Sequence, residues 1–246
     1  MNQRTPAQQA HRRRTLINWI GLALLLLAGV LTVLLFYMHS PPLQAWYREF
    51  QLYVEDLENL VLSLPGVWLT LLAVLALYAV KSVFWPLPIP MMCFITGATQ
   101  LPMYLSVAVN VAGLMLLFTI RFFWGRRRGG GRVKKLLSRQ RDIRDYLEHG
   151  RGGKSWLLFF FRLMPYFPLN TVSQIYGGMD FDYADYILLS LLGFLPKLLS
   201  YTVMGHNVFK PLSVPFIVPM IILFTLSGVS TIGINTALNK RKEPAP

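Results

Sequence analysis

The sequence predicts an all-α, polytopic membrane protein with about four transmembrane helices and two opposed re-entrant hairpins that form an inverted repeat. Hydrophobic residues make up 54% of the 246 residues and charged residues only 14%, which is too apolar for a soluble domain of this length. Several apolar runs reach the ~20 residues needed to cross ~30 Å of hydrocarbon. Two further apolar runs are shorter and interrupted by prolines, and they lie eighty residues apart.

The two short runs share residues at this constant offset. Four positions of the first copy recur in the second: Pro88, Ile95, Gly97 and Gly113 as Pro168, Ile175, Gly177 and Gly193. Paired, proline-interrupted hydrophobic segments in corresponding halves of a chain are typical of transporters that bind their substrate near the bilayer midplane. The recurrence predicts two equivalent hairpins, although so few identities also fit a chance match.

The first 65 residues predict one membrane anchor and one surface segment. Residues 1–15 are a basic N-terminus. The apolar run 16–38 is longer than a signal-peptide core and has no small-residue cleavage site, so we interpret it as a retained first transmembrane helix. Residues 39–65 are rich in acidic and aromatic side chains, which predicts an interfacial segment outside the cytoplasm.

Residues 66–208 are predicted to form the core of the protein. In each half an apolar run meets closely spaced prolines, and proline cannot continue a helix and disfavours helix in the residue before it. A piece too short to cross the membrane follows, and then a full span. The expected short pieces are 91–100 and 169–179, and the expected spans are 104–124 and 183–204.

The distribution of positive charge predicts the topology. Lysine and arginine cluster in the N-terminus, in the loop 125–154 and in the tail 240–246, next to the last transmembrane helix at 209–239. If the run 66–83 crossed the membrane completely, the basic loop would face outward and break the positive-inside rule. If residues 66–100 instead enter and return on the outer side, four spans remain, and the termini and the basic loop all face the cytoplasm. The second hairpin then enters from the cytoplasmic side, which makes the repeat inverted.

Two basic residues, Lys81 and Arg162, stand inside apolar runs. A charge at the bilayer centre costs about 2.5–3.5 kcal/mol on insertion scales, so such a residue indicates function by default. The alternative is that each side chain reaches an interface or the wet mouth of a hairpin. A guanidinium suits bidentate phosphate binding, so Arg162 is the favoured phosphate ligand. Lys197, within a predicted span, is expected to pair with a buried polar group.

The proline breaks add backbone groups to this predicted site. Free N–H groups at the start of a half-helix attract anions, and Asn170, Ser173 and Gln174 either line the site or cap the broken backbone. Gly177 and Gly178 predict a tight turn, and the aspartates at 180, 182 and 185 predict helix caps rather than proton carriers. The predicted substrate-binding residues are Arg162, Lys81, Pro165, Pro168, Asn170, Gly177, Pro88 and Gly97.

Other chemistries find no support in the sequence. The four histidines are scattered and the single cysteine, Cys93, cannot form an intrachain disulfide, so we predict no metal site, no cofactor and no enzyme activity. The net charge of +13 lies next to hydrophobic spans, which favours anionic lipid head groups at the basic loop over nucleic acid as the partner. The oligomeric state is left open.

The two hairpins, PLPIPMMCFITGATQ at 86–100 and FFRLMPYFPLNTVSQIYGG at 160–178, resemble the VTT-domain family. This is the SNARE-associated Golgi protein group of the DedA superfamily. The family pattern in the second hairpin falls on Phe161, Arg162, Pro165, Pro168, Asn170 and Gly177. The YTVMGH stretch at 201–206 also fits, and the resemblance covers roughly residues 66–208.

The resemblance implies a membrane protein with opposed re-entrant hairpins that moves phospholipids or polyprenyl phosphates across the bilayer. DedA members proper carry acidic residues in the first hairpin, linked to proton coupling, and the matching stretch here has none. We therefore predict lipid translocation of the scramblase or flippase kind in a bacterial cytoplasmic membrane, and facilitated movement is favoured over proton-driven transport. A secondary transporter of a small anion and a non-transporting membrane scaffold are the alternatives.

Overall fold

The structure is a computed structural model that describes residues 6–37, 47–48, 67–83, 88–99, 101–139, 153–164, 168–179 and 181–239. Several predicted features lie outside these residues: nearly all of the interfacial segment 39–65, the later part of the basic loop at 140–152, Pro165 and the tail 240–246. The helices are α1 (Pro6–Tyr37), α2 (Val67–Val83), α3 (Ile89–Ala98), α4 (Met103–Arg139), α5 (Gly153–Leu163), α6 (Leu169–Gly177), α7 (Tyr183–His206) and α8 (Val214–Asn239).

The expectation of an all-helical membrane protein is confirmed, because the described residues contain no strand and four stretches are long and apolar enough to cross a membrane. These stretches are Thr15–Tyr37, Met103–Arg128, Tyr183–His206 and Val214–Gly233. They coincide with the four spans expected from hydropathy. Helix α4 continues past its apolar part to Arg139, so the first part of the predicted basic loop is helical, including the glycines at 129–131.

Helices α3 and α6 are short, with 10 and 9 residues. At 1.5 Å per residue, each reaches only about half of the hydrocarbon thickness. Each begins directly after a proline in extended conformation, Pro88 or Pro168. Proline is suited to this position because the first N–H groups of a helix have no intrahelical acceptor. The proline breaks therefore start new helices where the sequence predicts them.

The long helices α4 and α7 contact each other at the centre of the molecule, and the shorter helices pack around them crosswise. Helix α2 packs on α4 and α5 packs on α7, each within its own half of the chain. Helix α3 packs chiefly on α7, and α6 packs chiefly on α4. Each short helix therefore lies on the long helix of the other half, which ties the two halves together.

Glycines make these crosswise contacts close. A Cβ on Gly97 of α3 would overlap the backbone of Thr202 in α7, and a Cβ on Gly177 of α6 would overlap the backbone of Phe122 in α4. The long helices contribute their own glycines: Gly125 lies against the backbone of Gln174, and Gly205 lies against the backbone of Phe94. The two contacts are related by the eighty-residue offset. Gly97 of α3 corresponds to Gly177 of α6, and Gly125 of α4 corresponds to Gly205 of α7.

The turn predicted at Gly177 and Gly178 has a different basis. Gly178 ends α6 with φ −86°, which any L-residue adopts. Gly177 has no left-handed φ either and is needed because α4 approaches it closely. The chain turns at Gly178 and Met179, as predicted, but the requirement for glycine at position 177 arises from the neighbouring helix and not from the turn.

The remaining helices lie at the side of this core. Helix α1 packs on α8, where Gly21 and Gly228 bring the two backbones together. At the start of α7, the Asp182 carboxylate accepts hydrogen bonds from the backbone N–H groups of Ala184 and Asp185, at 2.9 and 3.1 Å. This confirms the predicted cap at Asp182.

Candidate functional site

Arg162, at the end of α5, is fully buried, with 0% of its surface exposed. All three guanidinium nitrogens donate hydrogen bonds. Nε donates to Ser190 Oγ at 3.2 Å and Nη1 donates to the carbonyl oxygen of Leu169 at 3.1 Å. Nη2 donates to Ser173 Oγ at 2.9 Å and to the Tyr186 hydroxyl at 3.0 Å. The side chain therefore joins α5 to both α6 and α7.

All four acceptors of Arg162 are neutral groups. The face of the guanidinium lies 4.1 Å from the ring centroid of Phe118, whose carbonyl oxygen accepts a hydrogen bond from Tyr186 at 3.3 Å. Four of the five guanidinium N–H groups are used by these contacts. Arg162 consequently has little capacity left for a ligand, and its contacts fit a residue that positions the broken hairpin.

Lys197 in α7 provides the matching support for the end of α5. Its Nζ donates to the carbonyl oxygens of Arg162 at 2.8 Å and Met164 at 2.9 Å. The last carbonyls of a helix have no intrahelical donor, and a cation there also interacts favourably with the helix dipole. The buried polar partner predicted for Lys197 is therefore the backbone freed at the proline break.

We expect Lys197→Met to destabilise the protein by about 1–3 kcal/mol, because two buried carbonyls lose a charged donor while the side chain keeps its length. The measurement is the thermal unfolding of the purified protein, followed by tryptophan fluorescence. Lys210→Met is the matched control, since Lys210 is an exposed lysine just beyond the end of α7. Equal unfolding temperatures for the two variants would contradict the capping role.

A second polar cluster joins the first half of the core to α7. Asn110 of α4 donates from Nδ2 to the carbonyl oxygen of Cys93 at 3.2 Å and to Thr202 Oγ1 at 2.8 Å. Its Oδ1 accepts from the Tyr78 hydroxyl at 2.8 Å. Asn110 precedes Ser190 by eighty residues, so the two clusters occupy equivalent positions along the two halves. Every polar atom of the Asn110 side chain is bonded, which indicates a structural role.

Lys81 is buried, with 3% of its surface exposed, but it is not among the residues that contact Arg162. Its ammonium lies within electrostatic range of the guanidinium of Arg121 in α4. Arg121 is 5% exposed, and its buried Nε and Nη2 atoms have no hydrogen-bond acceptor among the described residues. The two cations predicted to share one site therefore lie in separate environments, and Lys81 is close to an arginine that the sequence analysis did not select.

The other predicted site residues act mainly as structure. Pro88 and Pro168 precede the short helices, and Gly97 and Gly177 make the close helix contacts. Asn170 is buried near the start of α6, and its Oδ1 has no hydrogen-bond partner among the described residues. Ser173 donates to the carbonyl oxygen of Leu169 at 2.9 Å while accepting from Arg162. Pro165 lies outside the described residues.

Four charged side chains are buried in the described part of the chain, and all four are cations: Lys81, Arg121, Arg162 and Lys197. The described acidic residues, Asp182 and Asp185, are exposed at the start of α7. Because charges are rarely buried without compensation, this imbalance is the distinctive electrostatic feature of the core. The four helices of spanning length make the class an integral membrane protein, and the charged side chains buried in its described part are all basic.

The chain was compared with protein-family models, with curated proteins and with solved structures, and nothing in the three sets matches it.

Proposed function

We propose that this protein moves phospholipid or polyprenyl-phosphate head groups between the leaflets of a bacterial cytoplasmic membrane. The observation that supports this function best is the set of buried cations, which no buried carboxylate balances in the described residues. An anion that passes between the leaflets would be attracted to this charge and would offset part of its desolvation cost. The acyl or prenyl chains can remain in the lipid, so that only the phosphate head group needs to be sheltered.

The proposal includes the two opposed re-entrant hairpins and the inverted repeat. Two observations support this arrangement. Helices α3 and α6 are too short to span the bilayer, and their glycine contacts recur at an offset of eighty residues. The positive-inside rule favours cytoplasmic termini and a cytoplasmic basic loop. The resemblance of the hairpins to the VTT-domain family agrees with this layout and with lipid as the substrate.

A leaflet-exchange assay tests the proposal. The purified protein is reconstituted into vesicles that contain a head-group-labelled fluorescent phospholipid, and a membrane-impermeant reductant is added outside. We expect the label in the inner leaflet to become accessible in vesicles with the protein and to stay protected in vesicles without it. Arg162→Ala is expected to abolish this exchange.

The same vesicles separate the alternatives. Uptake of a radiolabelled soluble anion without lipid exchange would replace the proposal by a secondary transporter. If neither lipid nor anion moves, and removal of residues 132–150 abolishes function in cells while Arg162→Ala does not, the protein is a scaffold. Protected inner-leaflet label in the presence of folded wild-type protein would reject lipid translocation.

A further inference from the structure

Arg121 differs from Arg162 because two of its guanidinium nitrogens, Nε and Nη2, have no acceptor among the described residues. Its Nε and Nη2 atoms are shielded from solvent and make no hydrogen bond with any described residue, although the side chain is only 5% exposed. These two nitrogens lie on the same edge of the guanidinium, so that their N–H bonds point in one direction. This edge is the one with which arginine forms paired hydrogen bonds to two oxygens of a carboxylate or phosphate. The geometry is that of a donor pair without an acceptor.

The surroundings of Arg121 concentrate positive charge near this edge. Lys81 of α2 and Arg128 of α4 each lie within electrostatic range of Arg121. The Trp124 ring centroid is 5.3 Å from Cζ of Arg121 and 4.4 Å from Cζ of Arg128. Like charges repel, and an anion bound at Arg121 would reduce this repulsion.

The spacing of the two arginines suits a ligand that comes from the membrane surface. Positions 121 and 128 are seven residues apart and therefore on one face of α4, about 10 Å apart along its axis. Arg128 is exposed and Arg121 is buried. An anion that first contacts Arg128 and Trp124 can reach Arg121 by moving one step along this face.

We propose that Arg121 binds a phosphate group through Nε and Nη2, with Lys81 as a second positive charge at the site. The ligand class is a phosphate monoester or diester. That this phosphate belongs to a lipid head group rests on the proposed function. A phosphate supplies two acceptor oxygens to Nε and Nη2, which have none among the described residues, and it is attracted by the positive charges of Arg121 and Lys81. Arg121, and not Arg162, is therefore the residue that contacts the head group.

Equilibrium binding to the full-length protein in neutral detergent tests this site. The probes are dihexanoyl phosphatidic acid, inorganic phosphate and, as the uncharged control, dihexanoyl glycerol. We expect wild-type protein to bind the phosphatidic acid but not the glycerol lipid. Arg121→Gln is expected to weaken binding about tenfold or more, because hydrogen bonds between charged groups are lost. Arg121→Lys should weaken it less, and Arg126→Gln, which changes an exposed arginine nearby, should leave it unchanged.

Thermal unfolding of the ligand-free variants separates binding from structure. Because Nε and Nη2 of Arg121 make no hydrogen bond with any described residue, Arg121→Gln should unfold at the wild-type temperature or above it. A lower unfolding temperature with loss of binding would overturn the assignment in favour of a structural role. Equal affinity of wild type and Arg121→Gln for the phosphatidic acid would also overturn it. If the wild type binds inorganic phosphate and the phosphatidic acid with equal affinity, Arg121 is a phosphate-binding residue whose ligand is soluble.

The binding and exchange assays can fail independently. If wild-type protein binds the phosphatidic acid through Arg121 but does not exchange lipid between leaflets, the site stands and the proposed function is rejected. If the wild type exchanges lipid and Arg121→Gln binds and exchanges equally well, the function stands and the site is rejected.

Discussion

Arg162→Lys is expected to lower the unfolding free energy by about 3–5 kcal/mol although it keeps the positive charge, because a lysine cannot replace a guanidinium that bonds along two edges. The three nitrogens of Arg162 reach acceptors on α6 and α7 in different directions. A single ammonium can satisfy part of this set and leaves the other buried acceptors unpaired. For a chain of this length the change corresponds to an unfolding temperature about 10 °C lower.

The measurement is thermal unfolding in detergent, with Arg127→Lys as the matched control. Arg127 is exposed on α4, so its replacement should leave the unfolding temperature unchanged. If Arg162→Lys and Arg127→Lys unfold at the same temperature, the hydrogen bonds of Arg162 do not hold the second hairpin in place.

The same comparison assigns different roles to the two buried arginines. Four of the five N–H groups of Arg162 are bonded to protein acceptors, so its variants should lose stability and lipid exchange together. Nε and Nη2 of Arg121 have no acceptor among the described residues, so its variants should lose exchange while stability is kept. Loss of exchange in Arg162→Ala is thus compatible with a purely positioning role, and only the Arg121 variants test direct contact with phosphate.

Much of the helix pattern could be predicted because its determinants are local. Apolar runs set the four helices of spanning length, and prolines set the starts of the short ones at Ile89 and Leu169. The repeat also selected Gly97 and Gly177, and the adjacent glycines at 177 and 178 predicted a turn. Their actual requirement is the backbone of another helix, which lies far away in the sequence and leaves no local signal.

The partners of the buried polar groups could not be predicted for the same reason. Arg162 was identified by its position in an apolar run, but its four neutral acceptors come from α6 and α7. Arg121 is also a basic residue in an apolar span, so the criterion that selected Lys81 and Arg162 would have found it. Asn110 is uncharged and does not meet this criterion. Helix α2 packs on α4, and this packing brings Lys81 close to Arg121 and not to Arg162. The spacing of these residues in the sequence does not predict that packing.

Alanine at Gly177 or Gly205 is expected to destabilise the protein by about 3 kcal/mol, at the upper end of the usual cost of overpacking. At Gly177 the added Cβ would overlap the carbonyl oxygen of Phe122, and at Gly205 that of Phe94. A helix backbone cannot rotate away as a flexible side chain can, so α6 must move off α4, or α3 off α7. Both substitutions separate elements that connect the two halves, and we expect lipid exchange to be lost with stability.

The equivalent glycines and one exposed glycine provide the controls for this prediction. Gly97→Ala and Gly125→Ala change the equivalent glycines and should lower the free energy of unfolding by about the same amount as Gly177→Ala and Gly205→Ala. Their Cβ atoms would also overlap backbone atoms of the facing helix. Gly29→Ala in α1 meets no atom within 4 Å, and alanine favours a helix by about 1 kcal/mol over glycine, so its unfolding temperature should be unchanged or slightly raised. If the four contact glycines tolerate alanine as well as Gly29 does, the crosswise packing of α3 on α7 and of α6 on α4 is not the arrangement that holds the halves together.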